Sequence, residues 1–522
     1  MERPAVTLHW EATTTPTQFS GSPGSQRNTP RFRRSKTGCR TCRLRRKKCG
    51  EQRPVCEGCR RNHLLCSWPG RPAPEEESGV PDGPGMHALA AIAARPGPRQ
   101  TAAPASMASL PTVSNFVHRW NEIGSLDEVG KAKVLLQHYI CSTASRLTTG
   151  KGNNPYLSLV LPFAEQHWDI LHALLAISAS HLSYTDPAYA YPTKSHYAVA
   201  LRAAKNHVTT VGRGQHDEAI RLLVLLVLLC HFEVVDGDMR GAIQFHLAAC
   251  RHLLQLVYDS LHLQNKDIVA FIAEQYLYFN AVAYNVRLDE TGLASIVPAT
   301  EDLDQDEFYP LLSGSSVSGF LFGTSVDLFR LIPSVVHLGR CPQSDPAASR
   351  QDDIALRQAF RSLEMCILAW SPDTLESRFL APKGVETQPM DHRGGLILQR
   401  ALLILLRVAL HGPGRPGGRL LGEVNDLIGN FMACLRRIPL NSLTWTNLLW
   451  AILTAGSCLQ AAEDREYLRS TMGAQGHKMH TLSSVLQILS WVWEASDSDL
   501  TFYGPYGIAK ACARHNVQIS MG

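Results

Sequence analysis

The chain has no long apolar run. Its longest uninterrupted apolar stretch, Leu222 to Cys230, falls far short of the ~20 residues that span a bilayer. The first residues, Met1-Glu2-Arg3-Pro4, lack the basic start and apolar stretch of a secretory signal. A soluble, intracellular protein with no membrane partner is therefore expected. Alternating strand patterns are also missing, and so are H-E-x-x-H, P-loop and nucleophile-elbow motifs, which argues against an enzyme. Gly412-Pro413-Gly414-Arg415-Pro416-Gly417 fits G-x-G-x-x-G. It follows a helical pattern rather than a strand, and its prolines remove amides that a phosphate cradle needs, so it is expected to be a loop. The cluster Ser313 to Gly319 and the acidic stretch Glu301 to Phe308 are likewise expected to be loops.

Net charge is low, +5 over 522 residues, and would not by itself suggest a nucleic-acid partner. Its distribution does. Between Arg31 and Cys66 stand thirteen Lys and Arg against two acids, Glu51 and Glu57. That segment carries +11 and leaves −6 for the rest of the chain. A compact cationic segment on a mildly acidic body is the electrostatic footprint of nucleic-acid binding.

Cysteine is as uneven as charge. Six of the fourteen lie in that same segment, spaced Cys39-x2-Cys42-x6-Cys49-x6-Cys56-x2-Cys59-x6-Cys66. Each half reads C-x2-C-x6-C, and the halves are related by a shift of 17 residues. Two cysteines three apart lie on one side of a helical turn and can grip one metal. In a reducing compartment such a cluster is a metal site before it is a disulfide framework.

Zinc takes four thiolates in a tetrahedron, so two zinc ions need eight ligand positions from six sulfurs. The count closes if two thiolates each bridge both metals. The surrounding Lys and Arg then offset the cluster's negative charge and favour deprotonated sulfur. So short a segment cannot bury enough apolar surface to fold alone, and metal binding should drive its folding. The alternatives are one four-cysteine zinc with two spare thiols, a redox switch, or a disulfide knot.

The halves carry different cargo. The spacer Arg43-Leu44-Arg45-Arg46-Lys47-Lys48 is basic at five of six positions. The matching Arg60-Arg61-Asn62-His63-Leu64-Leu65 turns apolar. The first half should therefore face double-stranded DNA, and the second should support it. Arginine matches the O6/N7 edge of guanine bidentately, whereas Lys and Arg on phosphates position without specifying. Arg40, Arg43, Lys47 and Lys48 are assigned to phosphates. The plainer readings of this spacer are a solvated basic face or a nuclear-import signal.

This segment resembles the fungal-type binuclear zinc cluster, or Zn(2)-C6, DNA-binding domain. The resemblance implies two zinc ions held by Cys39, Cys42, Cys49, Cys56, Cys59 and Cys66. It makes Cys39 and Cys56 the bridging ligands and Arg45 and Arg46 the base readers. Pro54, two residues before the fourth cysteine, fits the pattern. Gly50-Glu51 departs from it, because an Asp commonly follows the third cysteine. A nuclear transcription factor is implied, one that reads G-containing, CGG-like sites and acts with the transcription machinery. Its expected role is to regulate RNA polymerase II transcription of a fungal gene set such as a biosynthetic gene cluster. The alternative is an effector-sensing helical regulator in which DNA binding is secondary.

The rest of the chain divides by composition. Residues 1–30 are expected to be disordered, 31–68 to form the zinc module, and 69–115, with nine prolines between Ser67 and Pro111, to be a flexible linker. The Ala-rich stretch Met86 to Arg95 is too short for a coiled coil, so dimerisation falls to the helical body or does not occur. Residues 116–522 show helical periodicity. Ser125 and Glu128 form a capping box, and His167 to Leu182 places Ile170, Leu171, Leu174 and Ile177 on one face. Ala219 to Phe232 is apolar nearly all round and should be a central buried helix. Further stripes run through Ile243–Leu254, Ile354–Leu368, Leu396–Leu410, Leu420–Leu435, Trp445–Leu459 and Leu482–Trp493. The expected fold class is all-α. Asn154-Pro155, Leu161-Pro162 and Ile170 to Leu182, with His246 to Leu254, are similar to the fungal-specific transcription factor domain, an all-helical regulatory region. His172 and His181 are expected to be capped or exposed rather than metal ligands.

Overall fold

Apolar stripes of period 3.6 can be buried only by packing helix on helix. The computed structural model realises this. It describes residues 38–39, 42, 47–53, 56–61, 116, 126–149, 154–208, 211, 216–261, 266–283, 306–313, 315, 317–340, 350–371, 389–474, 478–519 and 521. The chain divides into two units, Met1–Ala103 and Pro104–Gly522. In the first unit the described regular element is α1, Glu57–Arg61.

The second unit is all-helical among the described residues, with one isolated bridge between Arg240 and Gln518. Its first half contains α2 (Leu126–His138), extended by a π-helical turn Tyr139–Thr143 and a last turn Ala144–Arg146. α3 (Leu161–Gln166), α4 (Trp168–Ser183), α5 (Ala190–Val208), α6 (His216–Asp236), α7 (Ala242–Leu261) and α8 (Lys266–Ala283) follow. The second half contains α9 (Val326–Arg340), α10 (Arg350–Ala369), α11 (Pro389–His411), α12 (Gly418–Leu435), α13 (Leu449–Gly456), α14 (Ala462–Ala474), α15 (His480–Ser496) and α16 (Gly504–His515).

The helix read as central is central. From Ala219 to Val235 every residue of α6 is buried except Arg221. Asp217 and Glu218 sit in its first turn, where they oppose the positive end of the helix dipole. α4, α5, α7, α8 and α15 pack on it. Arg221 is the exception because it serves a buried acid. Its Nε and Nη2 donate to Asp169 of α4 at 2.9–3.2 Å, and His207 of α5 lies 3.4 Å from the same carboxylate.

The second half is organised around α11, which packs against α9, α10, α12, α13 and α16. By length and composition His392–His411 could cross a membrane, but 72% of that window is buried inside the protein, so here it is a core helix. α15 packs on both α6 and α13 and so connects the halves. The close approach of α6 to α15 depends on Gly237, at φ +67°, because a Cβ there would lie 2.7 Å from the carbonyl carbon of His480.

Candidate metal centre

The described cysteines of the first unit form one small buried core. Cys39, Cys42, Cys49, Cys56 and Cys59 are all buried, and none is in a disulfide. The sulfurs of Cys39, Cys42, Cys49 and Cys56 lie within 4.8 Å of one another. Cys39 Sγ is 3.7 Å from the sulfurs of both Cys56 and Cys59, and Cys42 Sγ is 3.6 Å and 3.9 Å from the same two. Four thiolates around zinc at ~2.3 Å make a tetrahedron with edges of about 3.8 Å, so the spacing fits that metal.

The backbone repeats itself in the two halves. The Cys42 amide donates to Cys39 Sγ at 3.3 Å, and the Cys59 amide donates to Cys56 Sγ at 3.4 Å. The 17-residue repeat in the sequence is therefore also a repeat of N–H···S geometry. Cys49 Sγ accepts instead from the amides of Cys39 and Glu51, both at 3.4 Å. Such bonds favour thiolate over thiol. Burial pushes the Cys42 thiol up to about 12. At Cys56 burial acts the same way but is outweighed by the Cys59 amide and the Cys59, Cys42 and Cys49 thiols, which bring it down to about 6.

Lys47 and Lys48, just before Cys49, are exposed, as a phosphate-facing pair must be. Arg40, Arg43, Arg45, Arg46 and Cys66 lie outside the described residues, as do Pro54, the expected tail and the expected linker. Two contributors were not visible as sequence motifs. Glu51 takes a left-handed conformation, φ 58°, which turns its amide onto Cys49. Gln52 Oε1 accepts from the Glu57 amide at 3.1 Å and so caps α1, which carries Cys59 inward. The departure at Gly50-Glu51 is thus where the loop turns.

Of the two outcomes expected for His172 and His181, capped or exposed, the first is found. His172 and His181 are buried, not exposed. His172 Nδ1 meets His196 Nδ1 at 2.9 Å, and His181 Nδ1 meets Thr143 Oγ1 at 2.9 Å. They are satisfied inside the core by partners far along the chain. Gly412 to Gly417 is a loop between α11 and α12, and the described part of Ser313 to Gly319 is turn and bend. Of Glu301 to Phe308, the described residues Asp306–Phe308 begin a 3-10 helix instead, with Phe308 buried.

Five buried cysteines with sulfurs at zinc-ligand spacing, in a sequence that also carries a basic spacer and a large helical body, are the features of a zinc-cluster transcription regulator. Residues 37–74 match the fungal Zn(2)-Cys(6) binuclear cluster domain, and residues 134–511 match the fungal specific transcription factor domain. The second match covers well over half of the chain, and the protein belongs to that family. Transcriptional activator protein UGA3 of Saccharomyces cerevisiae is 22% identical over 63% of this chain and 72% of its own length. Zn(2)-C6 fungal-type transcription factor afumD of Aspergillus fumigatus is 31% identical over 36% of this chain and 43% of its own. Transcription factor lfc1 of Flammulina velutipes is 40% identical over 12% of this chain and 23% of its own. No solved structure matches significantly. The chain is thus a DNA-binding transcription regulator with two zinc ions in its cluster domain. When bound, the metal supplies the cross-links that so short a segment cannot obtain from apolar burial.

Proposed function

We propose that Cys39, Cys42, Cys49, Cys56, Cys59 and Cys66 hold the two zinc ions, with Cys39 and Cys56 shared between them. The observation that carries this is the sulfur quartet of Cys39, Cys42, Cys49 and Cys56, which contains both shared positions. The 3.7 Å from Cys39 to each of Cys56 and Cys59 supports a second quartet built on the same pair and completed by Cys66. On this scaffold Arg45 and Arg46 read guanine edges in the major groove of a CGG-like site. Arg40, Arg43, Lys47 and Lys48 hold phosphates, for which the exposure of Lys47 and Lys48 is the support at hand.

The module occupies residues 31–68, and 116–522 form the regulatory body, through which the chain self-associates when it binds paired half-sites. The protein acts in the nucleus on RNA polymerase II transcription of a fungal gene set. The name of the yeast relative favours activation. The test is Arg46→Ala with zinc loaded, measured on a selected site and on scrambled duplex. Specific binding should weaken by ~1–3 kcal/mol while binding to scrambled duplex changes little. Equal losses on both duplexes would remove Arg46 from base reading.

A further inference from the structure

The sulfur core of the first unit is symmetric in its distances as well as in its sequence. A shift of 17 residues exchanges Cys39 with Cys56 and Cys42 with Cys59. If a local two-fold axis relates the halves, the distance from Cys39 Sγ to Cys59 Sγ must equal that from Cys56 Sγ to Cys42 Sγ. The two distances are 3.7 Å and 3.6 Å. A plain translation of one half onto the other would impose no such equality. The amide-to-sulfur bonds inside the halves agree as well, at 3.3 Å and 3.4 Å. The described sulfurs are therefore arranged about a local two-fold axis.

The same shift gives Arg43 of the first half a counterpart in Arg60 of the second, each directly after the second cysteine of its half. Arg60 lies on α1 and is exposed. Its helix also carries Glu57 and Arg61, but these two are spent on each other, with Arg61 Nη2 donating to Glu57 Oε1 at 2.8 Å. The net positive charge of α1 is thus that of Arg60.

We propose that Arg60 is a second positioning residue on DNA and holds a phosphate of the strand opposite to the one held by Arg43. This rests on the reading of the module as DNA-binding with Arg43 on a phosphate, and it extends that grip to the half expected only to support. Duplex DNA has two-fold axes of its own, perpendicular to the helix, that exchange its strands, and two-fold proteins align with them. A module that docks in this way sets Arg43 and Arg60 on the two backbones that flank one groove. The second half has no base-reading pair to match, because Asn62 and His63 stand where Arg45 and Arg46 stand in the first. Its contact therefore fixes orientation, and sequence is read by the first half alone.

The test uses full-length, zinc-loaded protein on a selected duplex whose phosphates are replaced one at a time, on each strand, by uncharged methylphosphonate. Wild type should lose affinity at positions on both strands. Arg60→Ala should keep its zinc and lower the slope of log affinity against log salt by ~0.9, which is about eightfold in affinity per tenfold change in salt. It should become indifferent to one methylphosphonate position, and Arg43→Ala to another on the opposite strand. Arg60→Lys, which keeps the charge, should retain most of the slope and of the sensitivity. An arginine that served only the negative end of the α1 dipole would alter stability and neither readout. An unchanged slope in Arg60→Ala overturns the proposal, as do two indifferent positions on one strand. If Arg60→Ala does not take up zinc, the wild-type map decides, and sensitive positions confined to one strand overturn the proposal. Specific binding by wild type with an unchanged slope in Arg60→Ala overturns this inference alone. A zinc-loaded wild type that binds no duplex specifically overturns the DNA-binding reading beneath it.

Discussion

Replacing Glu274 with Gln should change stability by an amount that depends on pH. The side chain lies on α8, fully buried, and accepts from the amides of Leu321 at 2.7 Å, Gly319 at 2.9 Å and Phe322 at 3.1 Å. Burial outweighs those donors and raises the carboxyl from 4.5 to about 7. The folded state therefore binds the proton more tightly than the unfolded chain. Stability falls as pH climbs from about 4.5 to about 7, and the full cost is present above that range. A shift of this size corresponds to about 3 kcal/mol. Gln keeps the shape and never ionises, but its amino group faces the Gly319 N–H, a mismatch that costs about 1 kcal/mol. At pH 5 the wild type has already lost about 1 kcal/mol to ionisation of the unfolded chain, so the variant and the wild type should be about equally stable. By pH 8 the difference should have swung by about 2 kcal/mol in its favour. Urea unfolding followed by tryptophan fluorescence at both pH values measures the swing. An equal difference at pH 5 and pH 8, or a swing of the opposite sign, refutes the reasoning. Either result would mean that the three amides, not burial, set the ionisation of Glu274.

Cys42→Ala should lower bound zinc from two ions per chain to about one, whereas Cys56→Ala, at a shared sulfur, should bring it near zero. Native mass spectrometry distinguishes these outcomes, and equal losses would remove the bridging role from Cys56. Lys47→Ala should weaken selected and scrambled duplex alike and reduce the slope of log affinity against log salt by ~0.9, as for one phosphate contact. An unchanged slope would place Lys47 off the DNA. Gly237→Ala combines a left-handed φ of +67° with a Cβ 2.7 Å from the His480 carbonyl carbon. It should destabilise the body by ~1–3 kcal/mol in urea unfolding while leaving zinc content at two.

The clustering of the described cysteines was legible because its information is local. Cysteines spaced by two and six residues specify a cluster without any knowledge of distant chain, and the 17-residue shift reappears as paired N–H···S bonds. The turn at Glu51 and the cap from Gln52 were not legible, since each depends on how the loop closes rather than on a motif. Helices with an apolar stripe, such as α4, α7 and α12, stood out through their period. α5 did not, because it buries few residues, among them Thr193, Ala200, Ala203 and Ala204. α8 was missed for another reason: buried polar residues, Glu274 and Gln275, interrupt its apolar pattern. Buried partnerships across the chain were beyond reach. Nothing near Glu274 announces the amides at 319–322, and nothing near His181 announces Thr143.

The central claim is that two zinc ions on a six-cysteine scaffold present a basic spacer to DNA. It is tested most directly by titrating zinc into chelator-stripped full-length protein while affinity for a selected CGG-containing duplex is followed. Specific binding should be absent without metal, rise as zinc is added, and level off at two ions per chain. Specific binding that persists in the stripped protein, or that is missing when two zinc ions are bound, would contradict the account.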